Sequence, residues 1–174
     1  MNIHPLFREV RMVRQFDNQP IPHNIILEVL DDAVWAPNHR LREPWRFIYM
    51  EGESKEKLVA AVTSGRHIQL AETIAEAPAA MIVTVKTNKD NHIASDDFVA
   101  ACCMIHNIQL LGWARELGMH WDLADYSDCS ELHSLAQIGA DEQIAGILAL
   151  GFFDQNMLRN PSTRNMLENK IEVW

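Results

Sequence analysis

Four arginines and one polar loop carry most of the chemistry this sequence offers. Arg11 and Arg14 stand three residues apart, and Arg40 and Arg42 two apart, in a chain whose formal net charge is −9. A guanidinium presents a planar fork that fits phosphate or carboxylate, so these residues are candidate anion ligands. Their spacing equally suits surface ion pairs with the abundant acids. Between Ala36-Pro37 and Pro44-Trp45 lie Asn38, His39, Arg40, Arg42 and Glu43. Such dense hydrogen-bonding capacity between two apolar stretches is the profile of a binding loop on a rigid frame. The His39 ring could bond a heterocycle or face solvent. Trp121 could wall a flat ligand or pack in the core. Arg164, near the C-terminus, could reach a phosphate or sit as a plain surface charge.

Other chemistries lack an anchor. The eight histidines show no H-E-x-x-H or comparable metal-ligand spacing. There is no G-x-S-x-G, Walker or G-x-G-x-x-G pattern. Cys102 and Cys103 are neighbours, and neighbours on a helix point about 100° apart, which suits small buried residues better than a shared ion or disulfide. Three unpatterned cysteines suggest a reducing compartment, and no segment has the build of a signal peptide, so a cytoplasmic protein is expected. The acidic balance argues against nucleic acid and anionic membranes as partners, since both require a cationic footprint.

The elements that must hold these residues follow from hydrophobic period. At 174 residues and 48% apolar composition, one domain with a sizeable core is expected over residues 1–174, with about 154–174 as an extended tail. Ile3, Leu6, Phe7 and Val10 mark a short amphipathic helix, and residues 11–16 leave that pattern. Ile26, Leu30, Ala33 and Val34 share the face of a second helix, with Asn24 as its cap and Pro37 stopping it. Trp45–Met50 reads as a strand. Ser54 is placed as the cap of a helix ending at Ser64-Gly65, and Ile68–Ala75 as a short helix before Pro78. Ala79–Val85 is a buried strand. Residues 95–117 form the longest helical run, capped by Ser95, with Asp96 and Asp97 favouring its positive end and Gly118 terminating it. Apolar nearly all round, that helix is expected to be central or to build a subunit interface. Met119–Leu123 is a strand, Ser130–Gln137 a helix and Ile144–Leu150 a last buried strand. Strands alternating with helices around one sheet give an α/β or α+β class.

Four stretches together resemble the nitroreductase family of flavoproteins. Val10-Arg11-Met12-Val13-Arg14-Gln15-Phe16 resembles the family's opening Arg-Arg-Ser-Val-Arg-x-Phe. Ala36-Pro37-Asn38-His39, then Glu43-Pro44-Trp45-Arg46-Phe47, is similar to its Ala-Pro loop and Gln-Pro-Trp-x-Phe strand. Leu117–Trp121 is similar to the segment after the central helix, and Ile138–Gly151 to the closing helix and strand. The likeness covers nearly the whole chain and is nearest the compact bacterial members. It implies an α+β fold with a mixed, mainly antiparallel sheet flanked by helices, an intertwined homodimer and FMN at the subunit interface. It implies ping-pong two-electron hydride transfer from NAD(P)H to nitroaromatics, quinones or similar electron-poor acceptors, with no catalytic residue supplied by the protein. By position, Arg11 and Arg14 would meet the FMN phosphate and pyrimidine edge, and Asn38 and His39 the flavin near the other subunit's contribution. Trp121 with Asp122 and Leu123 would face the ring, and Arg164 would reach the phosphate. Val10 replaces the family's first arginine and Met12 its serine, leaving that binding segment one cation and one hydroxyl poorer. Asp122 puts an acid where some relatives carry a base, unfavourable beside a phosphate or a reduced flavin anion. Those departures leave a second reading, a flavin-binding or ligand-sensing dimer with little turnover.

Overall fold

The computed structural model describes residues 4–154 and 170–172. Helix α1 (His4–Glu9) leads through an extended segment to α2 (His23–Ala33), then to strand β1 (Trp45–Glu51) and helices α3 (Gly52–Ser64) and α4 (Ile68–Glu76). Strand β2 (Ala79–Lys86), the long α5 (Asn91–Trp113), β3 (Leu117–Asp122), α6 (Ser130–Ala136) and β4 (Glu142–Phe152) complete the order. The strands form one sheet in the order β1-β2-β4-β3, every ladder antiparallel. A single parallel bridge, Met12 to Met119, adds the extended segment to the outside of β3. The expected mainly antiparallel sheet flanked by helices is what forms.

Alternation along the two inner strands explains the layers. Met81, Val83 and Val85 of β2, with Leu148 and Leu150 of β4, point into one core against α2 and α5. Ala80, Ile82, Ile147 and Ala149 point into the other, against Leu58 and Val62 of α3, Ile74 of α4 and Leu132 of α6. Strands buried on both faces read as continuous apolar runs, which is why both were legible in the sequence. Each fully buried Leu or Ile contributes roughly 1.5–3 kcal/mol relative to an exposed one.

Element ends differ from the sequence expectations, each for a local reason. Helix α5 begins at Asn91, not at 95. Asp90 caps it by accepting the His92 N–H at 2.9 Å, which lets the helix start a turn earlier. Asp97 then falls inside the helix, buried and ion-paired, rather than at the dipole end. The helix stops at Trp113, and Glu116 takes the left-handed turn at φ 60°. Gly118 lies within β3, where a Cβ would come within 2.7 Å of both Val13 and Phe153. Its lack of a side chain serves a close chain approach, not a helix stop. Asn24 does not cap α2; Pro22 occupies that position, and the Asn24 amide donates to Glu28 at 3.4 Å. Ser54 sits in the first turn of α3, its hydroxyl donating to the Glu51 carbonyl at 2.7 Å and accepting the Glu51 N–H at 3.1 Å.

An ion pair closes the far end of the sheet. Arg46 Nε and Nη2 fork onto Glu142 at 2.9 and 2.5 Å, joining β1 to β4 across the intervening β2. The Arg46 hydrogen bonds, helped by the Gly139 amide, hold the Glu142 carboxyl down at about 2 against an opposing burial penalty. Its folded value lies below the unfolded one, so its stabilisation is present above about pH 4.5 and drains as the pH falls towards 2. In urea unfolding between pH 6 and pH 2.5, Glu142→Gln is expected to lose about 1 kcal/mol at the upper end and to show a flatter acid slope. Parallel pH profiles for the two proteins would contradict this.

Candidate functional site

The segment after α1 is extended because it borrows hydrogen bonds from the sheet edge. Val13 donates its N–H to the Met119 carbonyl at 3.0 Å, and Asp17 to Phe152 at 2.7 Å. Val13 is buried in a small cluster with Trp113 and Phe153, seated over Gly118, and Val10 packs half-buried against it. With Val13 turned inward, Arg14 is turned out. It lines a groove of about 380 Å³ between residues 12–17 and Phe153-Asp154, which also contains Asp17. Among the described residues no acid lies within salt-bridge reach of Arg14. Arg11 is half-buried, one of its five N–H groups donating to the Val10 carbonyl at 2.8 Å. Met12 is half exposed, at 51%.

Strand β3 supplies the wall beside this segment. His120 is buried, and its Nδ1 has no hydrogen-bond partner. Burial and the nearby Arg14 charge push its pKa below the ordinary value, with Asp122 pulling the other way. The imidazole is therefore neutral at pH 7. Asp122 accepts the Tyr126 hydroxyl in a short hydrogen bond. Burial and that carboxylate push the Tyr126 phenol far up, so it stays a donor. The acid expected to disfavour a bound anion is thus held by a buried tyrosine. Trp121 points to the opposite face, towards the α2/α5 core, with its indole lying over Gly146 and its Nε1 buried without a partner. Leu123, just beyond β3, is exposed.

The loop between α2 and β1 is built differently. Asn38 is engaged in holding it: its amide donates to the Ala36 carbonyl at 3.2 Å and its oxygen accepts the Glu43 N–H at 2.9 Å. His39 is exposed and opens a single 3-10 turn, His39–Leu41. Arg40, Leu41 and Glu43 all have positive φ, at 55°, 53° and 45°. Left-handed conformations at non-glycine residues cost of order 1–3 kcal/mol each and persist only where the surroundings impose them. Arg42 is not a free cation; its Nε and Nη2 donate to Asp97 Oδ1 at 2.9 and 2.7 Å.

Strand order decides which residues meet. Arg11, Arg14, Trp121 and Asp122 share the β3 edge, while Asn38 and His39 precede β1 at the other edge. Three strand spacings of about 4.8 Å put those edges roughly 14 Å apart. Arg164 lies outside the described residues. His120 and Tyr126 were missed in the sequence. The only signal for His120 was its alternation with Asp122 along the strand. For Tyr126 there was none, because its bond to Asp122 forms across an irregular turn.

Fold and site together define a helix-flanked antiparallel α+β domain with a groove along one sheet edge lined by Arg14, Asp17 and Asp154. The model of the nitroreductase family matches residues 8–66. YfhC of Bacillus subtilis (strain 168), whose name proposes an NAD(P)H nitroreductase, is 30% identical over 162 residues, 86% of this chain and 84% of its own. A nitroreductase-like family protein from Bacillus cereus superposes with a TM-score of 0.87 at 29% identity, over 100% of this chain and 96% of its own. The FMN and NADPH-dependent nitroreductase NfnB from Sphigopyxis sp. strain HMH shares the fold at 14% identity, with a TM-score of 0.83 over 100% and 99% of the two chains. This chain belongs to the nitroreductase family.

Gly146 supplies a test of the Trp121 wall. A methyl group there would overlap the indole and approach the Asp122 carbonyl at 3.2 Å. Gly146→Ala is expected to displace the indole, shift tryptophan emission and cost about 1–3 kcal/mol in urea unfolding. An unchanged spectrum and midpoint would mean that the indole does not rest there.

Proposed function

We propose that this chain is an FMN-dependent oxidoreductase that moves two electrons as hydride, in a ping-pong cycle, from NAD(P)H to a nitroaromatic, quinone or similar electron-poor acceptor. The observation that carries the reading is Arg14, a guanidinium without an acid partner among the described residues, turned into the groove between residues 12–17 and Phe153-Asp154 in a family frame. The donor set fits FMN. Arg14 and the free N–H groups of Arg11 suit a phosphate or the pyrimidine edge, and the half-exposed Met12 side chain offers an apolar contact. His120 Nδ1 remains unsatisfied, close enough to Arg14 to feel its charge. Bound FMN would supply the hydride chemistry, so the protein needs no nucleophile of its own.

The remaining residues bind and orient. Tyr126 draws the Asp122 charge onto its own hydroxyl, which lowers repulsion towards a bound anion. His120, kept neutral by burial and by the nearby Arg14 charge, leaves the positive charge there to Arg14. The loop with Asn38 and His39 stands at the opposite sheet edge, so the full set is completed across a homodimer, one copy offering the Arg11–Arg14 edge and its partner the loop. Exposed Trp35 (85%), Leu41 (82%), Leu27 (66%) and Val99 (56%) are apolar surface of the kind a second copy covers. The name of the Bacillus subtilis relative supports the nicotinamide donor. Three free cysteines fit a reducing, cytoplasmic setting. Val10 and Met12 favour a second reading, a flavin-binding or ligand-sensing dimer with little turnover, because they stand where the family carries an arginine and a serine and so remove one cation and one hydroxyl from the expected site.

Purified protein is expected to be yellow, to bleach with NADPH or NADH and to recover colour with a nitroaromatic or quinone. Binding without bleaching supports the sensing alternative, and protein that takes up no FMN rejects both. Arg14→Ala is expected to weaken FMN binding about 10–100-fold at an unchanged melting temperature, the effect of losing a charged hydrogen bond. Equal affinity in a flavin titration would remove Arg14 from the site.

A further inference from the structure

The loop that carries His39 is strained, and it is held in place from far away in sequence. Residues 39–43 include three non-glycine residues at positive φ. The Asn38 bonds and the Arg42 N–H to His39 carbonyl bond are internal to the loop. Among the described residues, the one hydrogen-bonded tie from 39–43 to another element is the fork of Arg42 onto Asp97 of α5. Asp97 is 4% exposed, and the Arg42 side chain 25% exposed. Beside the pair lies a cavity of about 750 Å³ lined by Arg42, Glu43, Trp45 and Asp97, so the loop has room to relax if released.

We infer that Arg42 and Asp97 are positioning residues: their ion pair latches the strained loop to α5 and so fixes the angle at which His39 is offered to the flavin site. The inference rests on the flavin reading above. Neither residue belongs to the two apolar cores, so loss of the pair acts first on the loop it ties down. The loop then exchanges its left-handed geometry for easier ones, and the ligand meets a moving partner. A site depends steeply on such placement, since a misplacement of about 1 Å by a remote change can cost about a hundredfold.

Wild type, Asp97→Asn, Arg42→Lys and the double variant are compared by FMN titration, by trypsin cleavage at the Arg40–Leu41 bond without flavin, and by thermal melting. Arg42→Lys keeps a cation over Asp97 while giving up the fork, so it serves where Asp97→Asn folds poorly. The expected result is about tenfold weaker FMN binding and about tenfold faster loop cleavage in each single variant. The double variant should be no worse than the singles, since both remove one interaction. Variants that bind FMN as tightly as wild type while keeping their loop protected overturn the latch. So does a lowered melting temperature with the flavin affinity of the folded protein intact, which marks a purely structural pair. Wild-type protein that takes up no FMN overturns the flavin reading itself, and the positioning role with it.

Discussion

Strands β2 and β4 lie side by side with helices on both faces, and this two-sided burial constrains everything else. A strand with no wet face can carry no free charge, so the central sheet is apolar, and polar function is confined to its edges and ends. β3 and β1 are those edges. The segment with Arg11 and Arg14 docks along one, and the Asn38–Glu43 loop feeds the other. The long helix α5 spans the covered face and touches both regions. Its body packs Met104, Ile105 and Ile108 on the sheet, and its first turns present Asp97 to the loop.

Within an acidic chain, the selective use of cations separates structural from available charge. Arg42 is paired with Asp97, Arg46 with Glu142, and Lys86 with Asp141. Arg115 lies near Glu28 and Asp32, at 3.8 and 3.6 Å. Arg14, without such a partner among the described residues, lies beside a histidine kept neutral by burial and an aspartate occupied by a tyrosine. That asymmetry distinguishes the groove from an ordinary stretch of surface, because an unpaired guanidinium keeps its full capacity for an anion.

The same economy shows in the backbone. The chain around Val13 is relaxed and borrows sheet hydrogen bonds, with Gly118 making space for it. The loop at 39–43 is strained and held from outside. One half of the candidate site therefore lies along a sheet edge, and the other is a strained loop held by Asn38 from within and tied to α5 by the Arg42–Asp97 pair.

How much of this was legible in the sequence follows from the range of each signal. Local period, turn residues and apolar runs determined the succession of helices and strands, the two doubly buried strands and the family likeness of Val10–Phe16 and Ala36–Phe47. These are short-range properties, fixed by steric preference and by which face of an element is apolar. Helix limits moved by up to four residues where a cap competed, as Asp90 did with Ser95. What the sequence could not determine were pairings between distant residues. Arg42 meets Asp97 across 55 positions, Arg46 meets Glu142 across 96, and strand order alone sets Arg14 and His39 on opposite edges. An apolar run shows that a strand is buried but not which neighbour completes its hydrogen bonds. The tertiary structure therefore decided that Arg42 is a structural cation and Arg14 an available one, though both read alike along the chain.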